Sequence, residues 1–250
     1  MKQILLLILL VTSSLYVKSQ NAITRDVGTF SGIDSRSNFD VVLVKGEKES
    51  VFIEEIKNLN PSEILTEVKN DKLILYIKGN KRQNAYAKIY ITYKNLDGIY
   101  NSGSGNILCN DDLSGKKLSI NTSGSGKLIS KGAFKFETIA IDITGSEEVN
   151  LADIYTDNLQ IAITGSGGAK IVSGKSNNQD LKITGSGNMH LFGVDNEEAS
   201  IEITGSGSVD LVANKTLIVD SSGSGNVNYK GIAQIKNVKN SGSTKVMKVE

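Results

Sequence analysis

One short block constrains this chain more than anything else in it. A hydroxyl residue, a glycine and a serine recur in order eight times, with the glycine at Gly103, Gly124, Gly145, Gly165, Gly185, Gly205, Gly223 and Gly242. The intervals are 21, 21, 20, 20, 20, 18 and 19 residues. Fourteen of the 25 glycines belong to these blocks, six of them as a second glycine two positions after the first. A period near 20 calls for a stack of identical supersecondary units.

The flanks repeat with period two. Four residues before the glycine stand Ile99, Ile120, Ile141, Ile161, Leu181, Ile201, Val219 and Val238. Four residues after it stand Ile107, Leu128, Val149, Ala169, Met189, Val209, Val227 and Val246. Two residues before it, the central repeats carry Ile143, Ile163, Ile183 and Ile203, whereas the outer ones carry Asn101, Thr122, Ser221 and Asn240. Polar residues such as Asp142, Lys182 and Glu202 fill the alternate positions. Alternation in short β-branched runs predicts strands with one buried face. Two such strands about one corner cannot bury that face alone, but a stack of coils can.

The expected fold is therefore all-β: a right-handed β-helix, or β-solenoid, of about eight 18–21-residue coils over residues 97–250. At a rise of about 4.8 Å per coil the stack is roughly 38 Å long. Glycine suits the corner through positive φ and through close approach between coils. The flanking hydroxyls are expected to form ladders up the stack. A propeller fits less well, because a blade needs about 40 residues; a β-sandwich is the other alternative.

Residues 27–96 lack the glycine–serine corner but are rich in strand patterns. Strands are expected at 38–44, 50–56, 65–69, 72–78 and 85–93, with turns at Gly46, Asn70-Asp71 and Gly79-Asn80. A single helical turn is expected at Asn60-Pro61-Ser62-Glu63, since proline fits a first helical turn. The expectation is an antiparallel β region that packs on, or caps, the first coil.

Residues 1–19 read as a secretory signal, with Lys2, an apolar run from Ile4 to Val11, and Val17 and Ser19 before the cut. Eight apolar residues are too few for a spanning helix, which needs about 20. Without Lys2 and Lys18 the chain holds 26 basic and 27 acidic residues, which offers no field for nucleic acid. The one cysteine excludes a disulfide framework and a cysteine-based metal site. No cofactor, metal or integral membrane segment is expected. An exported protein is, in the periplasm or at the cell surface.

The chain resembles a known family. The resemblance lies in Phe30-Ser31-Gly32-Ile33 with Asn38-Phe39-Asp40-Val41, in Leu65-Thr66-Glu67-Val68 with Lys72-Leu73-Ile74-Leu75, and in Gly-Ser-Gly-Asn at 103–106, 185–188 and 223–226. It is similar to the Bacteroidetes "putative auto-transporter adhesin, head GIN domain" family over roughly residues 28–245. That resemblance implies an exported β-helical protein and carries no catalytic residues.

An enzyme on such a scaffold would need converging carboxylates. The candidates are Asp111-Asp112, Glu147-Glu148 and Asp195 with Glu197-Glu198, each expected to be a solvated turn; Glu147 replaces a glycine of the repeat and reads as a tolerated corner substitution. Arg25, Arg36 and Arg82 all lie outside the repeats. His190, the one histidine, is expected to face outward, and Cys109 inward as an inert thiol. Tyrosines cluster from Tyr76 to Tyr100, and alternation in Tyr86–Tyr93 turns Tyr86 and Tyr90 away from Ala87, Ile89, Ile91 and Tyr93. Tyr86, Tyr90 and Tyr100 are the candidate ligand-binding residues, because exposed tyrosines stack on sugars or bury into partners. A non-enzymatic surface protein binding a glycan or an envelope or host protein is the preferred reading. A β-helix enzyme acting on carbohydrate and a binder of lipid or another small ligand, in a groove from Phe39 to Tyr100, are the alternatives.

Overall fold

The structure is a computed structural model that describes residues 22–79 and 84–250; the expected signal, Asn80 of the predicted turn and Arg82 lie outside the described residues. Every strand joins one continuous sheet, and parallel ladders carry the repeats into a β-solenoid of about 8 turns. In-register pairs join equivalent residues of successive coils, as in Ile141 with Ile161, Leu181, Ile201 and Val219.

Each coil turns three times. In the coil of Glu148–Gly165 the burial alternates except at Ala152-Asp153 and Asp157-Asn158, where consecutive side chains both leave the core. The ladder to the next coil skips Ala152 and Asp157. Three faces result. The first wall precedes the corner glycine, the second wall follows it, and the third returns the chain to the first. Every residue expected four positions either side of the glycine is buried from Ile99 to Val227. Val238 is 44% exposed, because it lies on the last coil, where Gln234–Asn240 is exposed throughout.

The corner itself is closed by the main chain. The Ser166, Ser186 and Ser206 N–H groups donate to the Gly145, Gly165 and Gly185 carbonyls of the preceding coil at 2.8 Å. Gly165 sits at φ +117°, and a Cβ there would lie 2.6 Å from the Gly145 oxygen, so both conformation and space require glycine. The flanking hydroxyls all stand in solvent. One rung of the expected hydroxyl ladder forms, from Ser222 Oγ to Thr204 Oγ1 at 3.3 Å.

The N-terminal third contains β1 (Ile23–Asp26), β2 (Gly32–Ser35), β3 (Phe39–Lys45), β4 (Ser50–Lys57), β5 (Ile64–Lys69), β6 (Lys72–Ile77) and β7 (Tyr86–Tyr93). The predicted helical turn is a 3-10 turn at Pro61–Glu63. Antiparallel pairing, expected of this region, joins β4–β7 and β5–β6, and also β4 with β1, a strand that the pattern did not predict. The rest of this region is parallel, which the sequence pattern did not show. β2 lies between β6 and the strand Gly98–Asn101, and β3 lies between β7 and Ile107–Cys109. These pairings continue the first and second walls downward with chain order inverted, so that residues 72–93 lie outside residues 32–45. One apolar core runs from Phe30 to Tyr229 through both regions.

Candidate functional site

The alternation in β7 works as expected on its inner side: Ala87, Ile89, Ile91 and Tyr93 are all fully buried. Tyr86 and Tyr90 point outward on the second wall, each half-buried by neighbours. The Tyr90 ring lies 5.9 Å from that of Phe52 in a tilted arrangement. Tyr86 donates its hydroxyl to Asp40 Oδ2 at 3.1 Å. Burial, with the Asp40 carboxylate beside it, pushes the Tyr86 phenol up to about 12.

Tyr100 does not join them. It belongs to the first wall, paired with Asp34 and Asn121. Lys72 Nζ lies over its ring at 3.6 Å, a closer cation–π contact than those of Lys57 over Tyr86 at 5.2 Å and Lys88 over Tyr90 at 5.4 Å. Phe39 is fully buried in the core, so Phe39 and Tyr100 do not line one groove.

Tyr86 and Tyr90 instead open two rows that run along the outer second wall, roughly 4.8 Å per strand. One row is a chain of polar contacts. Asp40 Oδ1 accepts from Asn106 N at 2.9 Å, Asn106 Oδ1 accepts from Lys127 N at 3.1 Å, and Lys127 Nζ pairs with Glu148 Oε2 at 2.7 Å. The next residue in this row is Gly168. The other row starts apolar, through Phe52, Tyr90, Val42, Leu108 and Ile129. It then turns polar, through Asn150, Lys170, His190, Asp210 and Asn228. Asp210 binds His190 Nδ1 and Asn228 Nδ2, each at 2.8 Å. Val172 and Phe192, 59% and 37% exposed, add apolar surface beside the polar half. His190 thus faces outward as expected, but on a patterned surface that the sequence reading did not assemble.

The acidic candidates do not converge. Asp111 Oδ2 accepts from Lys45 N, and Asp112 takes Ala133 N and Lys135 Nζ, each within 2.9 Å. Asp195 Oδ1 accepts from Asn214 Nδ2 at 2.7 Å, and Glu197 pairs with Lys215 at 3.3 Å. Each links neighbouring coils. Among the described residues no group of three or more His, Cys, Asp or Glu side chains could hold a metal ion. Cys109 is fully buried, and that burial raises its thiol to about 11, so the thiolate nucleophile is suppressed at neutral pH.

Glu147 overturns its expectation. It is no solvated turn: its side chain is fully buried and reaches through the two preceding coils. Oε2 accepts from Gly124 N at 2.9 Å, and Oε1 from Asn101 Nδ2 at 2.6 Å. Asn101 in turn accepts from Gly103 N and donates to the Gly105 carbonyl. Burial raises the Glu147 carboxyl above its ordinary value, opposed by the bonds from Gly124 and Asn101. The signal was present in the numbering, since two after the glycine has the same inward parity as four after. A second buried polar set went unread: Gln179 Nε2 donates to Ser176 Oγ, which donates to Asn196 Oδ1, both at 3.0 Å.

No curated protein matches the chain at a significant level. Solved structures do. One described as a putative adhesin from Parabacteroides merdae ATCC 43184 superposes with TM-score 0.87 at 23% identity, covering 92% of this chain and 96% of that one. One described as a putative lipid binding protein from Parabacteroides distasonis ATCC 8503 gives 0.81 at 26% identity, over 92% and 98%. A putative adhesin from Bacteroides fragilis NCTC 9343 gives 0.68 at 22%, over 92% and 98%. The profile of the family described as "Putative auto-transporter adhesin, head GIN domain" matches residues 29–135 and again 118–233, overlapping as a repeat allows. The chain belongs to that family.

Proposed function

We propose that this protein is exported by its N-terminal signal and acts without catalysis. It binds a glycan or a protein of the envelope or host through the outer face of its second wall. The observation that supports this reading is the pair of rows on that face. Aromatic and aliphatic side chains pass into amides, a lysine and a histidine along successive strands, a mixture that suits amphiphilic ligands such as sugars. The scattered acidic residues, each tied to a neighbouring coil, support a scaffold over an enzyme. Among the described residues no helix is long and apolar enough to cross a membrane.

The test is a glycan array probed with the chain from Gln20 onward. Binding to a defined glycan class, lost on substitution of Tyr90 and Phe52 by serine, is the expected result. A blank array would sink the glycan form of this reading. A second reading, a binder of lipid, draws on the apolar half of the row and on the lipid-binding description of the P. distasonis structure. Lipid co-purifying with the folded chain in native mass spectrometry, with a blank array, would favour it.

A further inference from the structure

Gly168 is the one corner-proximal glycine for which the fold gives no reason. In its row every other coil of the repeat carries a side chain, from Asn106, Lys127 and Glu148 to Asn188, Ser208 and Asn226. A Cβ at Gly168 would meet only the Asn188 carbonyl at 3.6 Å, an ordinary contact, and its φ lies outside the left-handed region. The adjacent Gly167 differs: a Cβ there would lie 2.6 Å from the Glu147 oxygen and 2.7 Å from Ile143 Cγ2. A strand glycine without a packing or conformational role weakens the strand and gains nothing for the fold. Gly168 lies in the lining of a notch of about 320 Å³ in the outer surface, into which it projects no side chain. That size is at the small end of the roughly 300–1,000 Å³ range of small-molecule sites.

Polar side chains flank the notch on both sides. Glu148 and Asn150 form one flank, Asn188 and His190 the other, and Lys170 lies beside the bare Gly168. His190 Nδ1 is engaged by Asp210, which leaves Nε2 as the free ring nitrogen. Glu148 is matched by Lys127 and Asp210 by His190 and Asn228, whereas among the described residues no ion pair engages Lys170. Two amides, a carboxylate and an imidazole supply donors and acceptors side by side, as vicinal hydroxyls demand, and the unpaired ammonium adds one positive charge.

We infer that the notch over Gly168 binds one unit of an anionic sugar, a hexose ring carrying a carboxylate or sulfate. The ring rests on the Gly167-Gly168 main chain, its hydroxyls pair with Asn150, Asn188 and Glu148, and its anionic group meets Lys170. This site rests on the surface-binding reading above and adds to it a second contact, on the polar half of the face, apart from the Tyr90–Phe52 end.

The test is a titration of the isotope-labelled chain from Gln20 with trigalacturonate and with neutral maltotriose, followed by amide shifts. The inference expects saturable shifts at Gly167, Gly168, Asn188 and His190 with trigalacturonate, and at least tenfold weaker binding of maltotriose. Gly168→Leu, which fills the notch from the solvent side, is expected to weaken trigalacturonate binding at least tenfold. Gly168→Ala is expected to melt at or above the wild-type temperature and bind more weakly. Lys170→Gln is expected to remove the preference for the acidic probe. Unchanged binding by Gly168→Leu overturns the site. So do shifts confined to Tyr90 and Phe52, which leave the surface-binding reading standing. No binding of either probe at millimolar concentration also overturns it; a blank glycan array beside that result removes the glycan reading as well.

Discussion

The corners at Gly165, Gly185 and Gly205 differ from the corner at Gly145 in a way that shows how the interior is filled. At the first three, glycine stands two residues on, at Gly167, Gly187 and Gly207, and an isoleucine of the preceding coil, Ile143, Ile163 or Ile183, projects a methyl into the space a Cβ would need. At the Gly145 corner Glu147 takes that position, and the preceding coil offers Thr122 instead of isoleucine. The last corner repeats the second arrangement: Thr244 is buried two after Gly242, and bonds at 2.6 Å with Ser221 of the preceding coil. The two positions therefore share one volume. At these corners either a branched aliphatic fills it from below, with glycine above, or a polar side chain descends onto a small hydroxyl; at Gly126 the buried Asn101 fills it from below instead. Close packing permits few mixtures.

The largest test mixes them. Gly187→Glu places a Cβ 2.5 Å from Ile163 Cγ2 and buries a carboxylate with no partner, and is expected to cost about 4 kcal/mol in urea unfolding. Adding Ile163→Thr, which reproduces the Thr122–Glu147 combination, should recover at least about 1 kcal/mol. If the double variant is no more stable than the single, the shared volume is not what sets the corner.

Removing the polar filling is next in size. Glu147→Ala strips the acceptor from Gly124 N and Asn101 Nδ2 and leaves a void, at an expected cost of about 2 kcal/mol. Converting the corner fully, with Glu147→Gly and Thr122→Ile together, should return most of that loss. Equal melting of Glu147→Ala and the converted corner would break the comparison.

The ionisation of Glu147 sharpens it further. A carboxyl whose folded pKa lies above the ordinary 4.5 stabilises the fold fully below that value, and the contribution is lost as pH rises through the folded one. Asn101 and Gly124 face it, both as hydrogen-bond donors. The stability of the native chain relative to Glu147→Gln should therefore decline as pH rises from 4 towards neutrality. A difference that grows with pH would show that the two bonds outweigh burial.

The smallest effect belongs to the outer surface of the central coils. Lys182 and Glu202 pair at 2.9 Å with both side chains about half exposed. Lys182→Ala is expected to change stability by less than about 0.5 kcal/mol, measured by the same unfolding. A larger loss would mean that outer ladders, and not the shared interior volume, hold the central coils together.

Much of this was readable from the residues. Period-two alternation about each glycine placed Ile141, Ile161 and Leu181 in the core and His190 outside it, because strand geometry leaves only two directions for a side chain. The same parity assigned Tyr86 and Tyr90 to the outer face. The face they occupy was not readable as a unit. Tyr90, Leu108 and Ile129 meet only after β7, β3 and later strands are stacked, with β7 lying outside β3 against chain order. Tyr100 looked equivalent to Tyr90 but fell on the other wall, because its strand pairs with Gly32–Ser35 before the corner glycine.

The sequence by itself determined the coil: its length, its corner, and which side chains turn inward, since those follow from local alternation and from where glycine alone fits. The repeat period also implied neighbours about 20 positions apart between coils. Only the tertiary structure decided the third wall of each coil and the inverted chain order at the N-terminal end, because neither follows from local pattern. It is this stacking that carries Glu147 down to Asn101, and that leaves Gly168 as a gap between Glu148 and Asn188.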